Sequence, residues 1–82
     1  MTYKVYTGIN SYYVQMDCTQ IKNSKLNELA NYLTNSPQIE VTELRWSTIT
    51  KIGTIILYCN KSEEKPIEYI TKLVNDFYKN QK

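Results

Sequence analysis

The chain has 82 residues, 41% of them apolar, with ten basic and eight acidic side chains, a formal charge of +2 and no histidine. That length holds one domain, residues 1–82, and buries only about 60–65% of the surface the unfolded chain exposes, so stability lies near the margin unless self-association adds to it. The lack of histidine removes the one side chain that titrates near neutrality and the commonest zinc, copper and haem ligand, and excludes Ser-His-Asp and Cys-His catalysis within one chain.

From the N-terminus, Tyr3-Lys4-Val5-Tyr6-Thr7 has strand composition, with Tyr3, Val5 and Thr7 on one face and Lys4 and Tyr6 on the other. Gly8-Ile9-Asn10-Ser11 brings a glycine and an asparagine, which tolerate the positive φ of a tight turn. The alternation resumes with Tyr12, Val14 and Met16 inward and Tyr13, Gln15 and Asp17 outward, so the first 17 residues read as a β-hairpin.

Between Thr19 and Thr34 the period changes. Leu26, Leu29, Ala30 and Leu33 fall at i, i+3, i+4 and i+7, one stripe of an α-helix. Asp17-x-x-Gln20 could open it as a capping box, although Asn23-Ser24 caps the periodic part better, and Asn35-Ser36-Pro37 closes it with an αL-tolerant residue and a proline.

Gln38 to Thr50 is rich in β-branched residues. Ile39 and Val41 share a parity that Leu44 and Trp46 reverse, which predicts a bulge near Thr42-Glu43. After the turn Lys51-Ile52-Gly53, residues 54–60 place Ile55, Leu57 and Cys59 on one side and Thr54, Ile56 and Tyr58 on the other. This strand is either covered on both faces or presents an apolar outer surface. Ser62-Glu63-Glu64 opens a final helix with Pro66 in its first turn. Ile67, Ile70, Leu73, Val74 and Phe77 line its inner face, and Tyr69 and Tyr78 broaden it. The order ββαββα predicts an α+β fold, a four-stranded antiparallel sheet with two helices packed on one face.

Cys18 and Cys59 stand 41 positions apart with no second pair, so neither a CxxC redox motif nor a four-thiolate zinc site can be assembled; two reduced, mostly buried thiols are expected, with one disulfide between them as the alternative. The N-terminus has no signal-like apolar run and no window reaches 18 apolar residues, so the expected location is the cytoplasm, without a membrane. Asn60-Lys61-Ser62 matches a glycosylation sequon that means nothing without secretion. Residues 1–41 carry no net charge and residues 42–82 carry the whole excess, with Lys61, Lys65, Lys72 and Lys79 interspersed among Glu63, Glu64, Glu68 and Asp76 as on a solvated helix.

The chemistry that remains is aromatic. There are eight tyrosines against one phenylalanine and one tryptophan. With both helices inside, the outer sheet face carries Lys4, Tyr6, Tyr13, Gln15, Glu43, Arg45, Ile56 and Tyr58. Tyr6, Tyr13, Ile56, Tyr58, Arg45 and Lys4 are therefore the candidate partner-binding residues. Cross-strand pairing of Tyr6 with Tyr13 or Tyr12 would explain the same residues as strand stabilisers. Rings flanked by Lys4, Arg45 and Lys51 could instead stack single-stranded bases, although no RNP1 pattern is present and the topology is not βαββαβ. Trp46 reads as core, although Arg45 beside it would allow a cation–π contact. No pair of carboxylates among Asp17, Glu40, Glu43, Glu63, Glu64 and Glu68 has a reason to share a pocket, so no catalytic, cofactor or metal site is expected.

A small histidine-free chain that opens Met1-Thr2-Tyr3-Lys4-Val5-Tyr6, crowded with Tyr, Ile, Asn and Lys and poor in Gly, resembles the accessory proteins of viruses with AT-rich genomes. It is similar in this way to the anti-CRISPR and other anti-defence inhibitors of archaeal viruses and phages. The resemblance covers the whole chain as size and composition, and it assigns no functional residue. It implies a compact protein that acts in the host cytoplasm by binding a host effector stoichiometrically, often as a homodimer and without catalysis. Homodimerisation through the outer sheet face or an exposed edge strand is expected alongside this binding, and a single-stranded nucleic-acid binder and a structural subunit of a larger assembly are the alternatives.

Overall fold

The computed structural model describes residues 1–80. Strands β1 (Thr2–Thr7) and β2 (Ser11–Cys18), helix α1 (Asn23–Thr34), strands β3 (Ile39–Trp46) and β4 (Gly53–Asn60) and helix α2 (Pro66–Lys79) follow in that order. The strands form one antiparallel sheet in the order β1-β2-β4-β3, which makes β1 and β3 its edges. The fold is α+β, as the element order predicts.

Strand parity decides where the core lies. Val14 and Met16 on β2 face Leu57 and Ile55 on β4, and all four are fully buried. Leu26, Leu29, Ala30 and Leu33 of α1 and Ile70, Val74 and Phe77 of α2 join the same cluster, so both helices occupy one face of the sheet. The Tyr32 and Phe77 rings, 5.5 Å apart, close the seam between the helices. The Thr71 hydroxyl donates to the Tyr3 hydroxyl oxygen at 3.4 Å, which ties α2 to β1. On the opposite side, Ser36 at the end of α1 shares a hydrogen bond with the Tyr69 hydroxyl of α2.

The predicted bulge is present. Val41 pairs with Leu57 and Glu43 with Ile56, which leaves Thr42 as the extra residue, and its hydroxyl donates to the Ile56 carbonyl at 3.1 Å. A side chain thus takes the place of a ladder partner and lets Leu44 and Trp46 turn back toward the helices. The indole N–H of Trp46 donates to the Ile21 carbonyl at 2.9 Å, and Lys51, not Arg45, lies over its ring, at 5.2 Å.

Element ends differ from expectation. The hairpin loop contains no positive φ; the only positive-φ residues among those described are Gln20 and Lys51. Gly8 is needed for a different reason, because a Cβ there would stand 2.8 Å from the Ser11 carbonyl oxygen across the closing pair. Neither proposed cap opens α1. Asp17 remains in β2, accepting from the Thr54 hydroxyl at 2.7 Å, and the helix starts after Lys22 with no side-chain cap. Asn35 ends α1 in αR geometry, not αL. Helix α2 starts at Pro66, not Ser62, because Ser62 and Glu63 are held in a turn by Asn60, whose side chain and carbonyl accept their amides at 2.8 and 3.0 Å. Ile67, in the first turn, is not buried with Ile70, Val74 and Phe77 as expected; it stands 41% exposed at the flank of the stripe, beside Val5 and Tyr12 at the sheet edge.

Gly53 is buried under α1, and a Cβ there would lie 2.8 Å from both Leu26 methyls and 3.0 Å from Ile21. Gly53→Ala is expected to lower unfolding free energy by about 1–3 kcal/mol through overpacking. Urea unfolding of Gly53→Ala, Leu26→Ala and the double variant should show that removing Leu26 relieves most of that cost.

Candidate functional site

The sheet register turns the uncovered face into ranks running across the strands. The first rank reads Tyr6, Tyr13, Tyr58, Glu40 from β1 to β3; the second reads Lys4, Gln15, Ile56, Glu43; the third reads Thr2, Asp17, Thr54, Arg45. Period-2 alternation puts these residues on the side away from the helices, and the antiparallel pairing lines the three tyrosines up.

Tyr6 and Tyr13 have ring centroids 5.9 Å apart at 57°, and Tyr13 and Tyr58 5.5 Å apart at 64°. These tilted and edge-on contacts suit the ring quadrupoles and contribute about 0.5–1.5 kcal/mol per pair. The pairing of Tyr6 with Tyr13 anticipated as a strand stabiliser is therefore present. It does not use up the rings, since Tyr6 remains 55% and Tyr58 41% exposed, with Tyr13 half-buried between them.

The other three candidates are placed differently. Ile56 stands on the same face but is only 5% exposed, because a short branched side chain in mid-sheet is overtopped by the longer ones around it; it floors the patch and offers little contact of its own. Arg45 lies on the far edge strand, two ranks from the tyrosines, with its Nε 2.6 Å from a Glu43 carboxylate oxygen. Lys4 is exposed and flanks Tyr6 along β1. Of the three cations that could have flanked a base-stacking surface, only Lys4 adjoins the rings, since Lys51 lies on Trp46 on the other side; the fourth position of the tyrosine rank is acidic.

Ile9 escapes a reading of the sequence because a lone isoleucine in a turn carries no periodic signal. It is 92% exposed at the tip of the β1–β2 hairpin, at the end of the sheet that bears the tyrosine rank. A large apolar side chain where turns usually place a polar one is the signal that could have marked it.

Both cysteines are buried and free. Cys18 pairs with Gly53 at one end of β4 and Cys59 lies at the other end, roughly 20 Å away at about 3.3 Å per residue, beyond any disulfide span. Burial pushes the Cys18 thiol from its ordinary 9.0 up to about 11, with the N-terminal amine pulling weakly the other way, and burial raises Cys59 as well. Neither presents a thiolate at neutral pH. Among the described residues no group of three or more His, Cys, Asp or Glu side chains could hold a metal ion, and no helix is long and apolar enough to cross a membrane. Compared with known protein families, curated proteins and solved structures, the chain finds no match in any of the three.

A folded state that keeps its Cys18 proton loses stability as pH rises from about 9, where the unfolded thiol ionises, to about 11, and is unaffected by this group below that window. The loss amounts to about 1.4 kcal/mol per pH unit within it. Urea unfolding from pH 8 to 11 should therefore fall more steeply for the native sequence than for Cys18→Val, and thiol reagents at neutral pH should react only as the chain unfolds.

Proposed function

We propose that this chain is a non-enzymatic protein-binding module that lays its uncovered sheet face, led by Tyr6, Tyr13 and Tyr58, on the surface of another protein. The observation behind this is the tyrosine rank: three rings in tilted and edge-on contact on a sheet face that neither described helix covers. Tyrosine binds well from such a position, with a large rigid ring, two χ angles to freeze and a hydroxyl that still forms hydrogen bonds. Three half-exposed rings offer on the order of 300 Å² of aromatic contact. That is the core of an interface whose rim, here Lys4, Gln15 and the hairpin tip with Ile9, extends it toward the roughly 800 Å² per partner of a stable complex.

The resemblance to viral anti-defence proteins supplies the kind of partner: a host defence effector held one to one and inactivated by occupancy. The electrostatics favour a protein over a single-stranded nucleic acid. One lysine beside the rings and Glu40 at the end of their rank make a poor funnel for phosphates.

Tyr13→Ser with Tyr58→Ser removes the row while sparing β1. The variant should keep its far-UV circular dichroism, lose about 1–3 kcal/mol with the two ring pairs, and fail to retain a partner that the native chain captures stoichiometrically from host lysate. Equal capture by both chains would overturn the assignment of the face. Quenching of tyrosine emission by a mixed-sequence oligonucleotide at about 50 mM salt, lost steeply as salt rises, would replace it with the nucleic-acid reading.

A further inference from the structure

The two edges of the sheet are not alike. β3 carries the Thr42 bulge and exposes Glu40, Glu43 and Arg45, the kind of features that keep an edge from pairing. β1 has no proline and no bulge, and runs in unbroken register with β2 from Thr2 to Thr7. Its register also shows which backbone groups are spare. The Gly8 amide donates to the Ser11 carbonyl at 2.9 Å, so Gly8 and Ser11 form a hydrogen-bonded pair. Antiparallel pairs alternate between bonded and non-bonded, so Tyr6, Lys4 and Thr2 are bonded to β2. The N–H and C=O groups of Tyr3, Val5 and Thr7 then point out of the sheet.

We propose that β1 pairs antiparallel with β1 of a second copy of this chain about a two-fold axis at Val5, joining two four-stranded sheets into one. A two-fold that pairs identical antiparallel edges stands perpendicular to the sheet and preserves its faces, so facing residues share a parity. Two central registers meet that condition. With Lys4 at the axis, two ammonium groups meet in the close non-bonded pair, with Cα atoms about 4.5 Å apart, and the overlap of the outward-pointing groups is shorter. With Val5 at the axis, Val5 bonds Val5 and Tyr3 bonds Thr7 on both sides, which engages every outward-pointing group of β1. The same register sets Lys4 opposite Tyr6 of the second copy, cation against aromatic ring, in place of cation against cation.

The inner side of the edge suits the same occupant. Val5 and Tyr12 of the sheet and Pro66 and Ile67 of α2 line an open apolar groove along β1, with Ile67 41% exposed. Its lip carries Lys65 and Glu68, 3.8 Å apart, so a copy of this lip brought around the axis meets no net like charge. The pairing stands apart from partner binding and leaves the outer face open. It also places Tyr6 of each copy diagonal to Tyr6 of the other, at roughly 7–8 Å, so two tyrosine rows become one aromatic surface.

The test is sedimentation equilibrium of the native chain and of Val5→Pro, with register read by disulfide trapping. Proline removes the Val5 amide that faces the open edge and spares the β1–β2 ladder. The native chain should sediment at twice its 9.7 kDa mass and Val5→Pro as a monomer with an unchanged circular dichroism spectrum. An equimolar mixture of Lys4→Cys and Tyr6→Cys, oxidised with copper phenanthroline, should cross-link into heterodimers, while Lys4→Cys alone stays uncrosslinked; this arm decides the matter if Val5→Pro fails to fold. A native chain that remains monomeric up to about 1 mM, growth beyond a dimer, or self-crosslinking of Lys4→Cys in preference to the mixture would overturn the proposal.

Discussion

The inward parity of the two central strands governs this molecule. Val14 and Met16 on β2 and Ile55, Leu57 and Cys59 on β4 present a fully buried apolar surface to one side, and only one side of the sheet can then receive the helices. Both helices bury an apolar stripe there, α1 through Leu26, Leu29, Ala30 and Leu33 and α2 through Ile70, Val74 and Phe77. Among the described residues, no helix or strand lies over the other side. Whatever the alternate positions of the strands carry is therefore displayed, and at one end of the sheet they carry tyrosine.

That display has a dual character. Tilted and edge-on contacts among Tyr6, Tyr13 and Tyr58 hold the strands together, and the outward halves of the same rings are available to a partner. Stability and binding are not rival explanations of these residues. A row in which each ring is fixed by its neighbour is pre-organised, so less side-chain entropy is lost when another surface covers it. Ile56 takes part from beneath by filling the floor between taller side chains, and the Thr42 hydroxyl holds the bulge at the Ile56 carbonyl.

Much of this is legible in the chain because it depends on periodicity. The hairpin, the α1 stripe, the bulge implied by the reversed parity of Val41 and Leu44, and the assignment of Tyr6, Tyr13 and Tyr58 to one face all follow from spacing alone. Helix starts do not, since they depend on competition between local hydrogen bonds. Asn60 draws Ser62 and Glu63 into a turn and delays α2 to Pro66, while the Thr54 hydroxyl holds Asp17 in the sheet and away from α1. Arg45 and Ile56 required knowledge of register and relative height across strands, which no single segment encodes. Register places Arg45 two ranks from the rings, beside Glu43, and height sinks Ile56 between its neighbours.

Partner binding requires that one sheet face be bare and that three tyrosines stand on it. Flavin-sensitised photo-CIDNP NMR of the free protein, which polarises the rings a dye can reach, tests it without any partner. Tyr6 and Tyr58 should polarise strongly, and Tyr3, Tyr12 and Tyr32 weakly. Silent Tyr6 and Tyr58 with polarised Tyr3 and Tyr12 would mean that the helices cover the opposite face, and would contradict it.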